Sequence, residues 1–258
     1  MSILGISVNH GTTAYMDLML RTLLDVDGAD GVEVLVLDND ADDLELLGWA
    51  VERGVTIRPS GYGQTRSVTT HGEILREAIL ARPEPEAYLL LDADCFFLEP
   101  GTVATMQREL AADDRLFAVQ ARQTDEDGRD LEGVFTPWTR EIEERARDLP
   151  DGQWWDPDRF DVTAGDRVHP FCTLVRNSAA TQRAVELIGL SPGLTQCERG
   201  GRWWDTLGLF TQVMRTHGLD WAYSTRRAGH FGNVSWSTEW SQIKAERRDR
   251  LRARLNGG

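Results

Sequence analysis

Residues 87–94 read Ala-Tyr-Leu-Leu-Leu-Asp-Ala-Asp, an apolar run that ends in two carboxylates two positions apart. The run is typical of a buried β-strand. Side chains alternate across a strand, so Asp92 and Asp94 point to the same side, about 6.6 Å apart along the chain. Oxygen ligands of this kind suit Mg²⁺ or Mn²⁺, which proteins usually hold through one or two carboxylates together with phosphate oxygens. The stretch therefore predicts a strand that leads into a divalent cation site.

The Asp-x-Asp pattern alone is a weak signal, because this acidic chain contains six such triplets. Most of them are expected to be solvated loop charges. Only the triplets that begin at Asp38 and Asp92 directly follow an apolar, strand-like run. These two are therefore the candidates for a functional site, although Asp38 could instead cap the helix predicted near residues 42–53.

Size and composition indicate a globular chain. It has 258 residues, of which 41% are hydrophobic, and a formal net charge of −14. That charge argues against a protein that holds nucleic acid or an anionic membrane by electrostatics alone. No run approaches the roughly 20 apolar residues that span a bilayer, and no signal peptide is visible. The three cysteines (Cys95, Cys172 and Cys197) lack C-x-x-C spacing and are expected to be reduced, buried thiols. The simplest expectation is a cytoplasmic protein.

Strand-like and helix-like segments alternate through the first hundred residues. Strands are predicted at 3–8, 32–37, 55–58 and 87–91, with helices after Thr12 or Thr13 and near 42–53 and 68–81. This order is typical of an α/β fold with a mostly parallel central sheet flanked by helices, which binds ligands at the carboxyl ends of its strands. Asn9, Asp38, Gly61 and Asp92 stand at those ends, so one shared site is predicted. The glycine-rich motifs of dinucleotide-binding and P-loop proteins are absent from the sequence.

The second half of the chain is less regular. Helices are predicted at 101–112, at 178–189 and from about 200 to 216, and strands at 116–121, 171–175 and 221–223. Residues 244–255 carry a net charge of +4 and are expected to form an ordinary arginine-rich surface helix. No linker is evident, so residues 1–258 are predicted to form one domain.

The order of these features resembles the GT-A-fold glycosyltransferases, and most closely their large family 2 of nucleotide-sugar transferases. The resemblance rests on residues 35–39 (Leu-Val-Leu-Asp-Asn), 90–94 with 98–101, 203–205 (Trp-Trp-Asp) and 230–235 (His-Phe-Gly-Asn-Val-Ser). It covers about residues 2–236 and is most specific over the first hundred. In this sequence Trp204 replaces the first of the two acids that the family often has at its catalytic position.

The resemblance implies a nucleotide-binding half (1–100), an acceptor-binding half (101–240) and a basic C-terminal helix or tail (241–258). It implies a metal site at Asp92, Asp94 and His230, and a catalytic base at Asp205. Residues expected to bind the nucleotide or the donor are Val8, Asn9, Asp38, Asn39, Gly61, His71, Asp92 and Ala93. Residues expected to face the acceptor or sugar are Trp203, Trp204 and His169.

The implied activity is metal-dependent transfer of a sugar from a nucleoside-diphosphate sugar, with a UDP-sugar favoured, to an acceptor hydroxyl. Inversion at the sugar is expected, with Mn²⁺ or Mg²⁺ as the cofactor. The acceptor class stays open between a small molecule, a lipid, a protein and a modified nucleic acid. Two alternatives are a nucleotidylyltransferase and a non-catalytic nucleotide-sugar-binding or scaffold protein. Asp205 could also be only a helix cap.

Overall fold

A computed structural model describes residues 1–64, 69–131, 167–191, 205–232, 234 and 241–256. Within these ranges eight strands form a single sheet with the order β3-β2-β1-β4-β7-β6-β8-β5. The sheet continues from the first hundred residues into the second half of the chain without a break. The division into two functional halves remains a prediction.

The first half of the sheet is parallel, as the alternation of segments predicts. Strands β1 (Ile3–Asn9), β2 (Val32–Asp38), β3 (Thr56–Pro59) and β4 (Ala87–Leu91) pair in parallel. They are connected by helices α1 (Thr13–Arg21), α2 (Gly48–Glu52) and α3 (Thr70–Ala81). In the register of the sheet Asn9 stands opposite Asp38. The carboxyl ends of these strands therefore lie together along one edge, where the sequence places its polar residues.

The second half of the sheet is mixed, so the expectation of a mostly parallel sheet applies fully only to the first half. Strands β5 (Cys95–Phe96), β6 (Leu116–Thr124), β7 (Cys172–Arg176) and β8 (Asp220–His230) complete the sheet. β7 is antiparallel to both β4 and β6, β6 is parallel to β8, and β8 is antiparallel to β5. Helices α4 (Thr102–Ala112), α5 (Ala179–Ile188), α6 (Gly208–Thr216) and α7 (Ser241–Asn256) accompany these strands.

Both faces of the sheet are covered, which explains why the central strands are apolar throughout rather than alternating. Leu89 and Leu91 of β4 pack with α1, α2 and α4 on one face. Tyr88 and Leu90, which point the other way, pack with α3, α5 and α6. Two buried layers result, and the strand ends between them are the place where polar side chains can meet.

Several element boundaries differ from the prediction. The helix expected near 42–53 is a 3₁₀ turn (Leu44–Leu47) followed by the short helix α2, with Gly48 at the junction. Strand β8 extends to His230, well beyond the predicted 221–223, and β5 was not predicted. Helix α6 begins at Gly208, so Asp205 lies in the loop before it and not in its first turn.

Cys95 and Cys172 are free and buried, as predicted, whereas Cys197 lies outside the described residues. Among the helices of the described ranges, none combines the length and the apolar character needed to cross a bilayer.

Candidate metal centre and donor site

Three chain segments meet at the end of β4 and place Asp92, Asp94 and His230 side by side. A tight turn carries the chain from β4 to β5, with the Cys95 amide donating to the Asp92 carbonyl at 3.1 Å. Strand β8 then pairs with β5, and His230 lies opposite Cys95. The Phe231 amide donates to the Asp94 carbonyl at 3.2 Å, which holds the end of β8 against the turn.

This pairing depends on a glycine. A Cβ atom at residue 229 would lie 1.9 Å from the ring of Phe96, so only Gly229 allows β8 to approach β5 this closely. The residue next to His230 in the sequence therefore fixes how near the histidine comes to the two carboxylates.

The three side chains form a compact group of metal-ligating atoms. His230 Nε2 lies 3.3 Å from Asp92 Oδ2 and 3.2 Å from Asp94 Oδ1. One ligating atom from each of the three residues lies within 4.8 Å of the others. Asp94 is 5% exposed, and its Oδ2 atom has no hydrogen-bond partner among the described residues. A buried carboxylate oxygen without a partner is costly, and a divalent cation would satisfy it. The residues therefore fit a cation site.

Electrostatics couple the three groups. Burial raises the pKa of Asp92, but the hydrogen bond from His230 and the charge of His71 outweigh it, and the net pKa is low. Burial lowers the pKa of His230, yet the carboxylates of Asp94 and Asp92 raise it further than burial lowers it. A protonated His230 thus balances the acids when no cation is bound. A cation must displace that proton, because only neutral imidazole ligates a metal.

Gln123 and Phe171 hold the ring of His230. The Gln123 amide lies 3.1 Å from Nδ1, and the Phe171 ring stacks on the imidazole at a centroid distance of 5.2 Å. Both contacts fix the orientation of the imidazole, and Nε2 is thereby directed toward the two carboxylates. Sequence reasoning missed Gln123, although a polar residue at the carboxyl end of β6 satisfies the same strand-end rule that selected Asp92.

His71 and His169 stand on either side of Asp92. His71 Nε2 lies 3.8 Å from Asp92 Oδ1, and His169 Nδ1 lies 4.0 Å from Asp92 Oδ2. Burial, with the neighbouring Arg167 guanidinium, lowers the pKa of His169 to about 3. Its Nδ1 accepts a hydrogen bond from the Phe171 amide at 3.2 Å, which agrees with a neutral ring. His71 was predicted to bind the sugar donor and His169 to face the sugar acceptor. The structure thus brings these two predicted residues to the same carboxylate.

A second polar cluster joins the ends of β1 and β2. The Asn9 amide donates to Asp38 Oδ1 at 2.9 Å, and Asp38 Oδ2 accepts from the Ala41 amide at 3.1 Å. The Asn39 amide lies 2.9 Å from His10 Nδ1. All three predicted polar residues are buried. Asp38 closes the turn after β2 through Ala41, and does not cap a helix over 42–53.

The other residues predicted to bind the sugar donor have no polar side chain. Val8 and Ala93 are buried in the two hydrophobic layers, so their side chains face the core. Gly61 has a φ of +85°, a conformation that glycine adopts readily. It shapes the loop after β3.

Asp205, the predicted base, forms an ion pair that the sequence did not indicate. Its Oδ2 lies 2.5 Å from Arg167 Nη2, and its side chain is 56% exposed. Arg167 also donates to the Thr206 carbonyl at 2.7 Å. Burial lowers the pKa of Arg167, while Asp205 and Asp92 both raise it, so one guanidinium senses both carboxylates. Arg167 and His169 are thus within electrostatic range of both Asp205 and Asp92. Trp203 and Trp204 lie outside the described residues.

Comparison with known proteins identifies the fold of the chain. The sequence matches no protein-family model and no curated protein sequence. Several solved structures are similar throughout most of the chain. The mannosyltransferase PcManGT from Pyrobaculum calidifontis, in complex with GDP-Man and Mn²⁺, aligns at a TM-score of 0.57 and 13% identity, over 96% of this chain and 60% of that one.

Glucosyl-3-phosphoglycerate synthase from Mycobacterium tuberculosis, in complex with Mn²⁺, UDP-Glc and phosphoglyceric acid, aligns at a TM-score of 0.55 and 15% identity, over 96% of this chain and 76% of that one. TarS 1–349 from S. aureus aligns at 0.52 and 11%, over 89% of this chain and 60% of that one. The chain thus spans only 60% of the length of two of these structures. At such identities the likeness establishes the fold, which is that of the GT-A glycosyltransferases.

Proposed function

We propose that this chain is a metal-dependent glycosyltransferase that moves a sugar from a nucleoside-diphosphate sugar to an acceptor hydroxyl. One observation carries the proposal. Asp92, Asp94 and His230 converge at the carboxyl edge of a GT-A-type sheet, and Asp94 keeps a buried oxygen without a partner in the described part of the chain. Ligands of open α/β sheets bind at this edge.

The similar structures support the choice of donor and metal. Their complexes contain GDP-Man with Mn²⁺ in one enzyme and UDP-Glc with Mn²⁺ in another. Asp92, Asp94 and His230 would hold Mn²⁺ or Mg²⁺ here. When bound, the cation neutralises the charge that develops on the leaving diphosphate. We favour a UDP-sugar, and both UDP and GDP belong in the test.

The nucleoside is assigned to the polar cluster at the ends of β1 and β2. Asn9 donates to Thr13 and Asp38 and accepts from Thr12, so it orients Asp38 at the edge where the metal centre also lies. Within the described residues each oxygen of Asp38 accepts one hydrogen bond, and a carboxylate oxygen can accept a second from the nucleoside. His71 Nε2 lies 3.8 Å from Asp92 Oδ1, where it can meet the diphosphate or the sugar.

For the transfer step we assign Asp205 as the base. The acceptor oxygen forms a bond to the anomeric carbon while the bond from that carbon to the diphosphate oxygen breaks. The hydroxyl proton passes to Asp205, and the nucleoside diphosphate leaves. Arg167 orients the carboxylate through its ion pair. Attack from the side opposite the diphosphate gives inversion.

The test combines binding and turnover. Calorimetry with UDP, GDP and dTDP, each with and without Mn²⁺, should show tight binding of one of them only when Mn²⁺ is present. Slow release of free sugar from the matching nucleotide sugar then measures turnover without a known acceptor. Absence of any Mn²⁺-dependent nucleotide binding would contradict the proposal.

The same panel separates the two alternatives. A nucleotidylyltransferase would release pyrophosphate from a nucleoside triphosphate and a sugar phosphate. A non-catalytic binding protein would bind the nucleotide sugar and leave it intact with every acceptor offered. The acceptor class and the cytoplasmic location remain expectations from the sequence.

A further inference from the structure

Helix α7 lies at the surface, as its arginine-rich sequence predicts, and it is also fixed to the body of the domain. Leu251 is buried in a cluster with Leu18, Phe96 and Phe231. Arg252 lies 2.9 Å from the buried Asp17. The cluster around Leu251 includes Phe231, the residue directly after the metal-ligating His230. The helix therefore lies beside the metal centre.

Lys244, in the first turn of α7, is the residue of this helix that reaches the site. Its amine donates to the carbonyl oxygen of Gly232, two residues after His230. Burial lowers the pKa of Lys244 and Arg247 lowers it further, whereas Asp94 raises it, so the amine senses the metal-ligating carboxylate. Gly232 is its one hydrogen-bond partner within the described ranges, and an ammonium group has three donors.

The neighbouring arginines of the described segments are already engaged by protein groups. Arg247 binds both oxygens of Glu126, and Arg254 contacts Asp127 and the Glu126 carbonyl. Arg226 pairs with Glu99, and Arg227 donates to the Gly128 carbonyl at 3.2 Å. Lys244 differs from these arginines because its amine, held two residues after His230, pairs with no carboxylate of the described residues and keeps donors for a ligand. The contacts of the arginines also account for Arg226 and Arg227 without a nucleic-acid partner.

We propose that Lys244 binds the diphosphate of the donor, so that helix α7 supplies a fixed positive charge to the leaving group. This inference rests on the proposed function. An ammonium group beside two carboxylates repels a lone divalent cation but attracts the phosphate oxygens that accompany it. Lys244 should therefore weaken the binding of the metal alone and strengthen the binding of the metal together with the nucleotide.

That opposition gives a test with Lys244→Met, which keeps most of the length of the side chain and removes its charge. Calorimetry should show UDP or GDP, with Mn²⁺ present, binding about tenfold more weakly or worse, the effect of losing one charge-assisted hydrogen bond. Binding of Mn²⁺ alone should be unchanged or tighter. Arg250→Met removes the same charge from an exposed position of α7 and should change neither affinity.

Two results would overturn the inference. Equal nucleotide affinity in both variants would show that Lys244 takes no part. Parallel weakening of Mn²⁺ and nucleotide binding in Lys244→Met would show that it only supports the fold around His230. If the unaltered protein binds none of UDP, GDP and dTDP with Mn²⁺, the proposed function itself fails, which is a distinguishable outcome.

A second measurement needs no variant, since Lys244 is the only lysine in the chain. An amine-directed acylating reagent, read by peptide mass spectrometry, reports on this residue specifically. UDP or GDP together with Mn²⁺ should protect Lys244, and Mn²⁺ alone should not. Labelling at the same rate with and without the nucleotide complex would contradict direct contact.

Discussion

Changing Asp94 to asparagine should abolish the stabilisation that Mn²⁺ gives to the folded protein. A ligand at one hundred times its dissociation constant stabilises the native state by about 2.7 kcal/mol. For a chain of this size about 1 kcal/mol moves the melting temperature by roughly 2–4 °C, so saturating Mn²⁺ should raise it by about 5–10 °C. Loss of one of the two carboxylate ligands should weaken binding about a hundredfold. At the same Mn²⁺ concentration the remaining stabilisation is about 0.4 kcal/mol, and the remaining shift of the melting temperature is less than about 2 °C.

The assay is a thermal-shift titration with Mn²⁺, repeated with Mg²⁺ and reversed with EDTA. Its readout is the metal-induced shift, so any change in the metal-free stability of the variant cancels. Asp42→Asn is the matched control, since Asp42 belongs to another Asp-x-Asp triplet of the sequence but is exposed. The reasoning is refuted if Asp94→Asn keeps the full Mn²⁺ shift, or if Asp42→Asn loses it.

Three further predictions concern other parts of the molecule. Asp205→Asn should leave nucleotide binding intact and lower kcat by about two to four orders of magnitude if Asp205 is the base; a near-normal kcat with a lower melting temperature would indicate a structural role in the pair with Arg167. Asp27→Ala should destabilise the fold by about 1–2 kcal/mol in urea unfolding, because the buried Asp27 carboxylate accepts from the amides of Thr102 and Val103 at the start of α4; unchanged stability would exclude this capping role. Glu126→Gln tests the contact between Arg247 of α7 and Glu126. The hydrogen bond from Arg247 lowers the pKa of Glu126 in the folded protein. The pair therefore stabilises the fold fully above the unfolded pKa of about 4.3, and this stabilisation is lost as the pH falls through the lower folded value. The variant should be about 1 kcal/mol less stable near neutral pH and equal to the unaltered protein in acid, and a deficit that persists in acid would contradict the pairing.

The first half of the chain could be predicted because its signals are local. Each of the central strands is a continuous apolar run with a polar residue at its end, and parallel strands bring those ends to one edge. Asn9, Asp38 and Asp92 were placed together on that basis, and the structure has them along one edge. Their roles toward a nucleotide remain predictions.

The second half could not be predicted in the same way, because its strands are set by the strands they pair with and not by a hydrophobic pattern of their own. Strand β8 is rich in polar and charged residues and lies beside β6 and the two-residue β5, so no hydrophobic pattern marks its length. Gly48 interrupts the helix expected near 42–53, and a glycine inside a helix costs about 1 kcal/mol relative to alanine. The pair between Arg167 and Asp205 joins residues 38 positions apart, which spacing alone does not reveal.

The two-residue strand β5 also bears on how the protein comes to be folded. Its pairing with β8 joins Cys95 to His230 and Phe96 to Gly229, positions more than a hundred residues apart in the chain. Closing so long a loop is entropically unfavourable until other contacts have formed, and contacts of such separation form slowly. During synthesis the segment that carries Asp92 and Asp94 is made before β8. The centre is thus assembled at a late stage, and a chain interrupted before residue 230 would hold the two carboxylates without their histidine.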